Sequence, residues 1–446
     1  MKKNYLLGMA LITSLSFYSC DKEVVYVQDG NGVESVADGA QIITLQVENG
    51  GDGLATRAGR PLFSAEAKQT IENVKLWICD NTGKVVYIKE ISDWNTDGST
   101  VYTTGGHGRQ TTIELKGADK LAAGTYKIYA VGYSNSSAYT LTDVTNVAKE
   151  SIFNENMVLP CSTVGEEIFA GQMELTVEKG KGFKKPVVLN RQVAGAFAYV
   201  KDIPFMEGAK YLKLVASAQN QSLVLGNFNS FDLTGNGSGN ANVKYVVNGT
   251  NGKSGSETYV ISTIDLNKWF TAIKDEDGDN LIDAGENWKN PCRPSSSPAA
   301  GTYPTFQKGS AFGGEFVIPF AHVDGKQTLT LQLTNAAGKT VLRSWKVNLG
   351  SADEQLKQTI TCWNSGSTDW STSLSGELAN TYSLVRNHLY GIGTRMNDEA
   401  DPEQPGVDPD PNPENPNDKP ESLNNKQELV LKVNDNWEVI HGMELD

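Results

Sequence analysis

Residues 275–286 read Asp-Glu-Asp-Gly-Asp-Asn-Leu-Ile-Asp-Ala-Gly-Glu. Asp275, Asp277, Asp279, Asp283 and Glu286 fall at the first, third, fifth, ninth and twelfth places, and Leu281 offers its carbonyl at the seventh. That is EF-hand spacing. A hard cation such as Ca2+ takes six to eight oxygens, with a two-oxygen Glu closing the shell. Asn280 stands where Gly is usual, and Asn tolerates the left-handed backbone such a turn needs. The competing reading is an acidic, solvated loop. A helix is expected before it, over residues 266–273, while Asn287-Trp-Lys-Asn offers little of an exiting one.

Two further sites carry covalent chemistry. Lys2 and Lys3 precede an apolar run over residues 6–15, and Ser19 precedes Cys20. A charged start, a short apolar stretch and a small residue before a cysteine form an export signal that resembles a lipobox. Phe17 replaces the usual Leu three places before the cysteine. Cys20 is then the lipidated N-terminus of the exported chain. The second site is Arg57-Ala58, inside the Gly-rich stretch 50–58, where proteolysis concentrates. Arg60 is the second choice, hindered by Pro61. Cys79, Cys161, Cys292 and Cys362 are widely spaced and contain no CxxC, so they read as one or two disulfides or as buried thiols, not as a zinc site.

The elements that must position these residues are strands. The chain has 446 residues, long enough for two or three domains. Val, Thr and Tyr recur in short runs punctuated by Gly and Asn. Residues 74–78 and 84–88 flank Asp80-Asn-Thr-Gly, a turn signal, and residues 124–133 alternate. Residues 166–177 and 185–201 continue the series. This pattern predicts an all-β fold of sandwiches rather than βαβ units. The expected divisions are a signal peptide over 1–20 and a propeptide with its own strand over 21–57. Sandwiches follow over 58–182 and 183–400, then a Pro-rich acidic linker over 401–425 and a C-terminal segment over 426–446.

Both ends of the exported chain carry a strand with one apolar face. Ile43, Leu45 and Val47 alternate with Thr44, Gln46 and Glu48. At the other end Leu429, Leu431, Val433, Trp437, Val439, Met443 and Leu445 fall on odd numbers. Burying Leu429, Leu431 and Val433 is worth roughly 5–9 kcal/mol before ordering costs. Residues 401–420 hold seven Pro and six acids, and at about 3.1 Å per residue they span roughly 60 Å. The tail either folds back into its own sandwich or completes a neighbour's sheet, and so long a spacer favours the neighbour. Residues 41–49 and 427–435 share Gln, Leu and Val at matching places, so one slot suits both in turn.

Taken in order, these features resemble the fimbrillins, the subunits of type V pili of the Bacteroidales. The signal ending at Cys20 and the Arg57-Ala58-Gly59 site come first. Arg191-Gln-Val-Ala194 resembles the motif opening the family's second domain, although Gly195 stands where Arg is common. Arg386-Asn-His-Leu-Tyr390 resembles its Arg-Asn-x-x-Tyr strand, and the Pro-rich linker and Trp-containing tail follow. The resemblance implies two transthyretin-like β-sandwiches in tandem. It implies an outer-membrane lipoprotein precursor cut by an Arg-specific protease. It further implies polymerisation with copies of itself and other pilus subunits by donor-strand exchange, in an extracellular fimbrium that supports adhesion. The donor tail argues against a tip and Arg57 argues for a stalk. A pilus-anchoring lipoprotein and a surface glycan-binding lipoprotein, the latter using Trp363 and Trp370, are the alternatives.

Composition and motif content bound the rest. A formal net charge of −14 argues against nucleic-acid binding. The only histidines are His107, His322, His388 and His441, and no HExxH, GxSxG, P-loop or strand-borne GxGxxG is present. An enzyme is not indicated, and no cofactor beyond a candidate Ca2+ is required.

Overall fold

The computed structural model describes residues 26–28, 34–36, 39–48, 71–102, 108–161, 166–226, 246–292, 306–320, 329–349, 360–373, 384–395, 418–424 and 428–434. Cys20, Arg57, Ala58, Trp437 and Val439 lie outside these residues. The regular secondary structure of the described residues is almost entirely strand, as the Val-, Thr- and Tyr-rich alternation requires.

The first unit comprises β1 (Tyr26–Gln28), β2 (Glu34–Val36), β3 (Gln41–Glu48), β4 (Asn73–Asp80), β5 (Val85–Ile91), β6 (Thr100–Tyr102), β7 (Gly108–Leu115), β8 (Gly124–Tyr133), β9 (Val158–Pro160), β10 (Phe169–Val177) and β11 (Phe183–Arg191). The strands run β5-β4-β8-β10-β11-β3-β7-β6. β10 meets β11 over only two residue pairs, so the strands on either side of that joint form two leaves. Trp94, Leu76, Ile78 and Phe169 from one side meet Ile43, Leu45, Val187 and Leu189 from the other in a shared core. The expected turn is present: the Asp80 carboxylate accepts from the backbone N–H groups of Thr82 and Lys84, and Gly83 adopts φ +81°. Those bonds hold the Asp80 carboxyl below its ordinary range, the Thr82 hydroxyl first among them.

The second unit holds β12 (Ala194–Lys201), β13 (Ala209–Gln219), β14 (Ser222–Val224), β15 (Val246–Val247), β16 (Gly249–Thr250), β17 (Lys253–Asp265), β18 (Ala311–Val317), β19 (Leu329–Asn335), β20 (Val341–Leu349), β21 (Ile360–Asn364), β22 (Asp369–Ser373), β23 (Leu389–Ile392), β24 (Thr394–Arg395), β25 (Asp418–Lys419), β26 (Glu421–Ser422) and β27 (Glu428–Asn434). Its main sheet runs β17-β13-β19-β20-β27-β23-β12-β18. The sheet curls until its two ends approach: a Cβ at Gly313 on β18 would come within 2.7 Å of Ile264 on β17. Trp345, Tyr199, Tyr390 and Phe312 fill the interior. Gly391 has no side chain because the Phe197 ring lies where its Cβ would be.

Strand pairing moves two of the expected divisions. β11 pairs with β3 along Phe183–Leu189, so it belongs to the first unit and the passage between units falls at Gln192 and Val193, not at Gly182. The apolar run 185–201 hid this, because a strand leaving one sheet and the next entering another read as one stretch. Pro186 is tolerated in β11 because the edge away from β3 meets β2 at Lys184 and β10 at Asn190 and Arg191, leaving Pro186 between them. The linker is also shorter than 401–425 at its far end. β25 pairs with β24, β26 pairs with β12, and Leu423 is fully buried.

The units are tied at the passage. β9 of the first pairs with β14 of the second, Leu159 opposite Leu223. The buried Arg386 guanidinium donates to the Gln192 side chain (3.2 Å) and to the Gly226 carbonyl (2.9 Å). Desolvation lowers the Arg386 pKa to about 9. Arg191, sealed against Glu167 at 2.5 Å, closes the end of β11. These contacts give the Arg191-Gln192 and Arg386 motifs a shared place, the junction of the two units.

Candidate functional site: two terminal strands and an acidic loop

β3 occupies an internal slot. On one side it runs parallel to β11, Gln41 opposite Phe183 and Val47 opposite Leu189. On the other it runs antiparallel to β7, Gln41 opposite Leu115 and Glu48 opposite Gly108. Ile43, Leu45 and Val47 are completely buried, the face the alternation predicted. The opposite face is also largely covered: Ile42 and Thr44 are 9% and 8% exposed. At its start Gly39 turns through φ +77°. There the Gln41 side chain pairs with the backbone of Leu121, donating to its carbonyl (2.9 Å) and accepting from its N–H (2.7 Å). Lys120 Nζ donates to the Gly39 carbonyl at 3.0 Å.

β27 occupies the corresponding slot of the second unit. It runs parallel to β20, Leu429 opposite Val347, and antiparallel to β23, Leu431 opposite Ile392. Leu429 is buried. The expectation that Leu429, Leu431 and Val433 serve a neighbouring molecule is therefore corrected: in the described chain they form a strand of its own sheet. The reason is local. Without β27, β20 and β23 would face each other across a gap with a ladder edge open on each. β3 and β27 do not compete for one slot; they fill two slots of the same polarity.

The acidic loop keeps part of its predicted form. Carboxylate oxygens of Asp275, Asp277 and Asp283 lie within 4.8 Å of one another, while Asp279 and Glu286 are not in that group. Asn280 adopts φ +65°, the conformation that spacing required. Asp275 accepts from the N–H groups of Gly278 (2.7 Å) and Asn280 (3.0 Å), and Asp279 accepts from Leu281 (2.7 Å). The flanks are not a helix pair. Only Leu266–Trp269 forms a helical turn, capped by Asp265, and beyond the loop Phe270 bridges Trp288 in a strand-like contact. Pro204 faces Leu281 and the Ile203 carbonyl accepts from Ile282, which pins the loop to the second unit.

Trp363 and Trp370 face each other across the β21–β22 hairpin with ring centroids 5.2 Å apart at 70°. Trp370 Nε1 donates to Asn156 Oδ1 at 2.9 Å. An edge-to-face pair of this kind locks a hairpin, whereas a sugar-stacking shelf needs a flat open ring. The sequence reading missed Asn156 and the Gln41–Leu121 pairing. Only the glutamine shared by residues 41 and 427 hinted at the latter.

No protein-family model matches the chain, and no curated protein matches it. Its neighbours among solved structures include fimbrial proteins, adhesins and polysaccharide-binding proteins from Parabacteroides, Bacteroides and Porphyromonas. A fimbrial assembly protein from Parabacteroides distasonis ATCC 8503 aligns at 12% identity and TM-score 0.35, over 75% of this chain and 99% of that one. The fimbrial anchor protein Mfa2 from Porphyromonas gingivalis aligns at 8% and 0.32, over 78% and 99%. The tip fimbrial protein Mfa3 from the same organism, with a C-terminal truncation, aligns at 12% and 0.37, over 79% and 93%. At such identities and scores, what this chain does has to be argued from its own slots.

Leu45→Ala removes a buried side chain from the middle of one slot, and Leu429→Ala removes one near the start of the other. Each should lower the unfolding free energy of uncut protein by about 2–5 kcal/mol in urea titrations. Val101→Ala, at an exposed edge position, should change it by less than about 0.5 kcal/mol.

Proposed function

We propose that the chain is an exported surface protein, lipidated at Cys20 as a precursor, that assembles with copies of itself and with other fimbrial subunits by strand exchange. The observation that carries this reading is the place of β3. It lies upstream of Arg57, yet it is an internal strand whose Ile43, Leu45 and Val47 are wholly buried. A cut after Arg57 by an Arg-specific protease severs the covalent link between that strand and the body it completes, so that another strand can replace it. Its loss opens the facing edges of β7 and β11 and exposes apolar surface worth roughly 5–8 kcal/mol. A folded body with such an opening binds an extended strand of another chain.

The donor in this reading is the segment beyond β27. Moving β27 out of its own slot would open one gap to close another. In residues 437–445, Trp437, Val439, Met443 and Leu445 fall on odd numbers, so as a strand the segment would present them on one face and span about 30 Å. The strand to be replaced, β3, has eight residues. β27 then acts as the root that holds the donor to its subunit. A stalk position follows from having both a cleavage site and a donor. Retention of the lipid and of β3 would make the same chain an anchor. In the same reading Asp275, Asp277 and Asp283 supply hard oxygen ligands to a Ca2+ ion that stiffens their loop, and the protein is not an enzyme.

Treated with a trypsin-like protease, the protein should lose residues up to Arg57 and form ladders that survive SDS without boiling. A chain ending at Asn434 should be cut identically and stay monomeric. Ladders from that truncated chain, or none from the intact one, would refute the donor assignment. Isothermal titration should show Ca2+ binding at up to millimolar concentration, abolished by Asp275→Asn with Asp283→Asn; an absence of heat removes the metal from the account.

A further inference from the structure

The alternation that sends Ile43, Leu45 and Val47 inward does not fix where along the slot they sit. A slip of one residue turns all three outward, which their burial forbids. A slip of two keeps the same face inward, exchanging branched side chains at two places and bringing Gln41 or Asn49 to the third. A polar anchor at the strand's end adds to the choice among registers that share an inward face. β3 has one. The Gln41 carboxamide uses both its donor and its acceptor on the two backbone groups of Leu121, and Gln41 itself is 5% exposed. Shifted by two residues either way, that place would hold Gly39 or Ile43, neither of which has a side chain able to make the pair. Lys120 on Gly39, one residue pair away, marks the same end of the strand.

All of these ties run from residues 39–48 to residues 108–121 and 183–189. None depends on the chain being continuous through residues 49–70.

We propose that Gln41 is the register-setting residue of a peptide-binding groove formed by β7, β11 and the Leu121 backbone. Its ligand is β3, held by the Gln41 carboxamide two residues before Ile43, Leu45 and Val47, and β3 stays bound there after the chain is cut. This deepens the exchange reading and rests on it for its biological role. Cutting alone does not empty the slot; an incoming strand must displace the one in place.

The test does not depend on Arg57. In the full chain, residues 54–60 are replaced by a site-specific protease sequence, the protein is cut, and gel filtration with mass spectrometry follows the N-terminal piece. It should co-elute with the body and dissociate over hours. Gln41→Ala should release it about tenfold faster. Gln41→Glu should not restore retention, because a carboxylate cannot donate to the Leu121 carbonyl. Register is read separately. Gln46 Nε2 donates to Gln110 Oε1 at 3.2 Å, so Gln46→Cys with Gln110→Cys should form a disulfide in the cut protein, with lower yield when Gln41→Ala is added. Immediate separation of the wild-type piece overturns the groove. Unchanged release and unchanged cross-linking in Gln41→Ala overturn the role of Gln41. A cut protein that retains its strand and resists displacement by every donor counts against the exchange reading and supports this one.

Discussion

An internal strand must have its backbone groups paired along both edges, and the two ends of this chain meet that demand in the same way. β3 and β27 each lie between one parallel and one antiparallel neighbour. Each unit of the protein is therefore completed by a strand that lies apart in sequence from the strands it pairs with. Such a strand contributes core and ladder together, so its absence costs the unit more than a surface strand would. The difference between the two ends is covalent. β3 is followed by Arg57 and the Gly-rich stretch, whereas β27 is preceded by the docked segment 418–424 and followed by twelve more residues.

This asymmetry gives the molecule its direction. β3, which precedes Arg57 in sequence, belongs to the first unit, and β27 belongs to the second. Between them lies the junction. Arg386 reaches Gln192 and Gly226, β9 pairs with β14, and Trp370 bonds Asn156.

The strands themselves were legible. Alternation identified β3 and its buried face, and Asp80-Asn-Thr-Gly identified the β4–β5 turn. Alternation also identifies β27, but it says which face is buried and not which sheet does the burying. The division between units is hidden because β11 and β12 form one apolar run, and only pairing separates them. In the acidic loop the spacing foretold the left-handed Asn280. The flanking backbone decided that three carboxylates converge, and flanks of irregular structure carry no periodic signal. Gln41 was the least legible of all. A polar residue at a strand end reads as solvent-facing, and its partner is the backbone of Leu121, eighty residues away.

Hydrogen-exchange mass spectrometry of the uncut protein measures directly whether β3 is an integral strand of the first unit. The amides of β3, β7 and β11 should exchange together, in the slowest class that the first unit shows. Exchange of β3 within seconds, while β7 and β11 stay protected, would show a strand that merely rests on a completed sheet and would contradict the account.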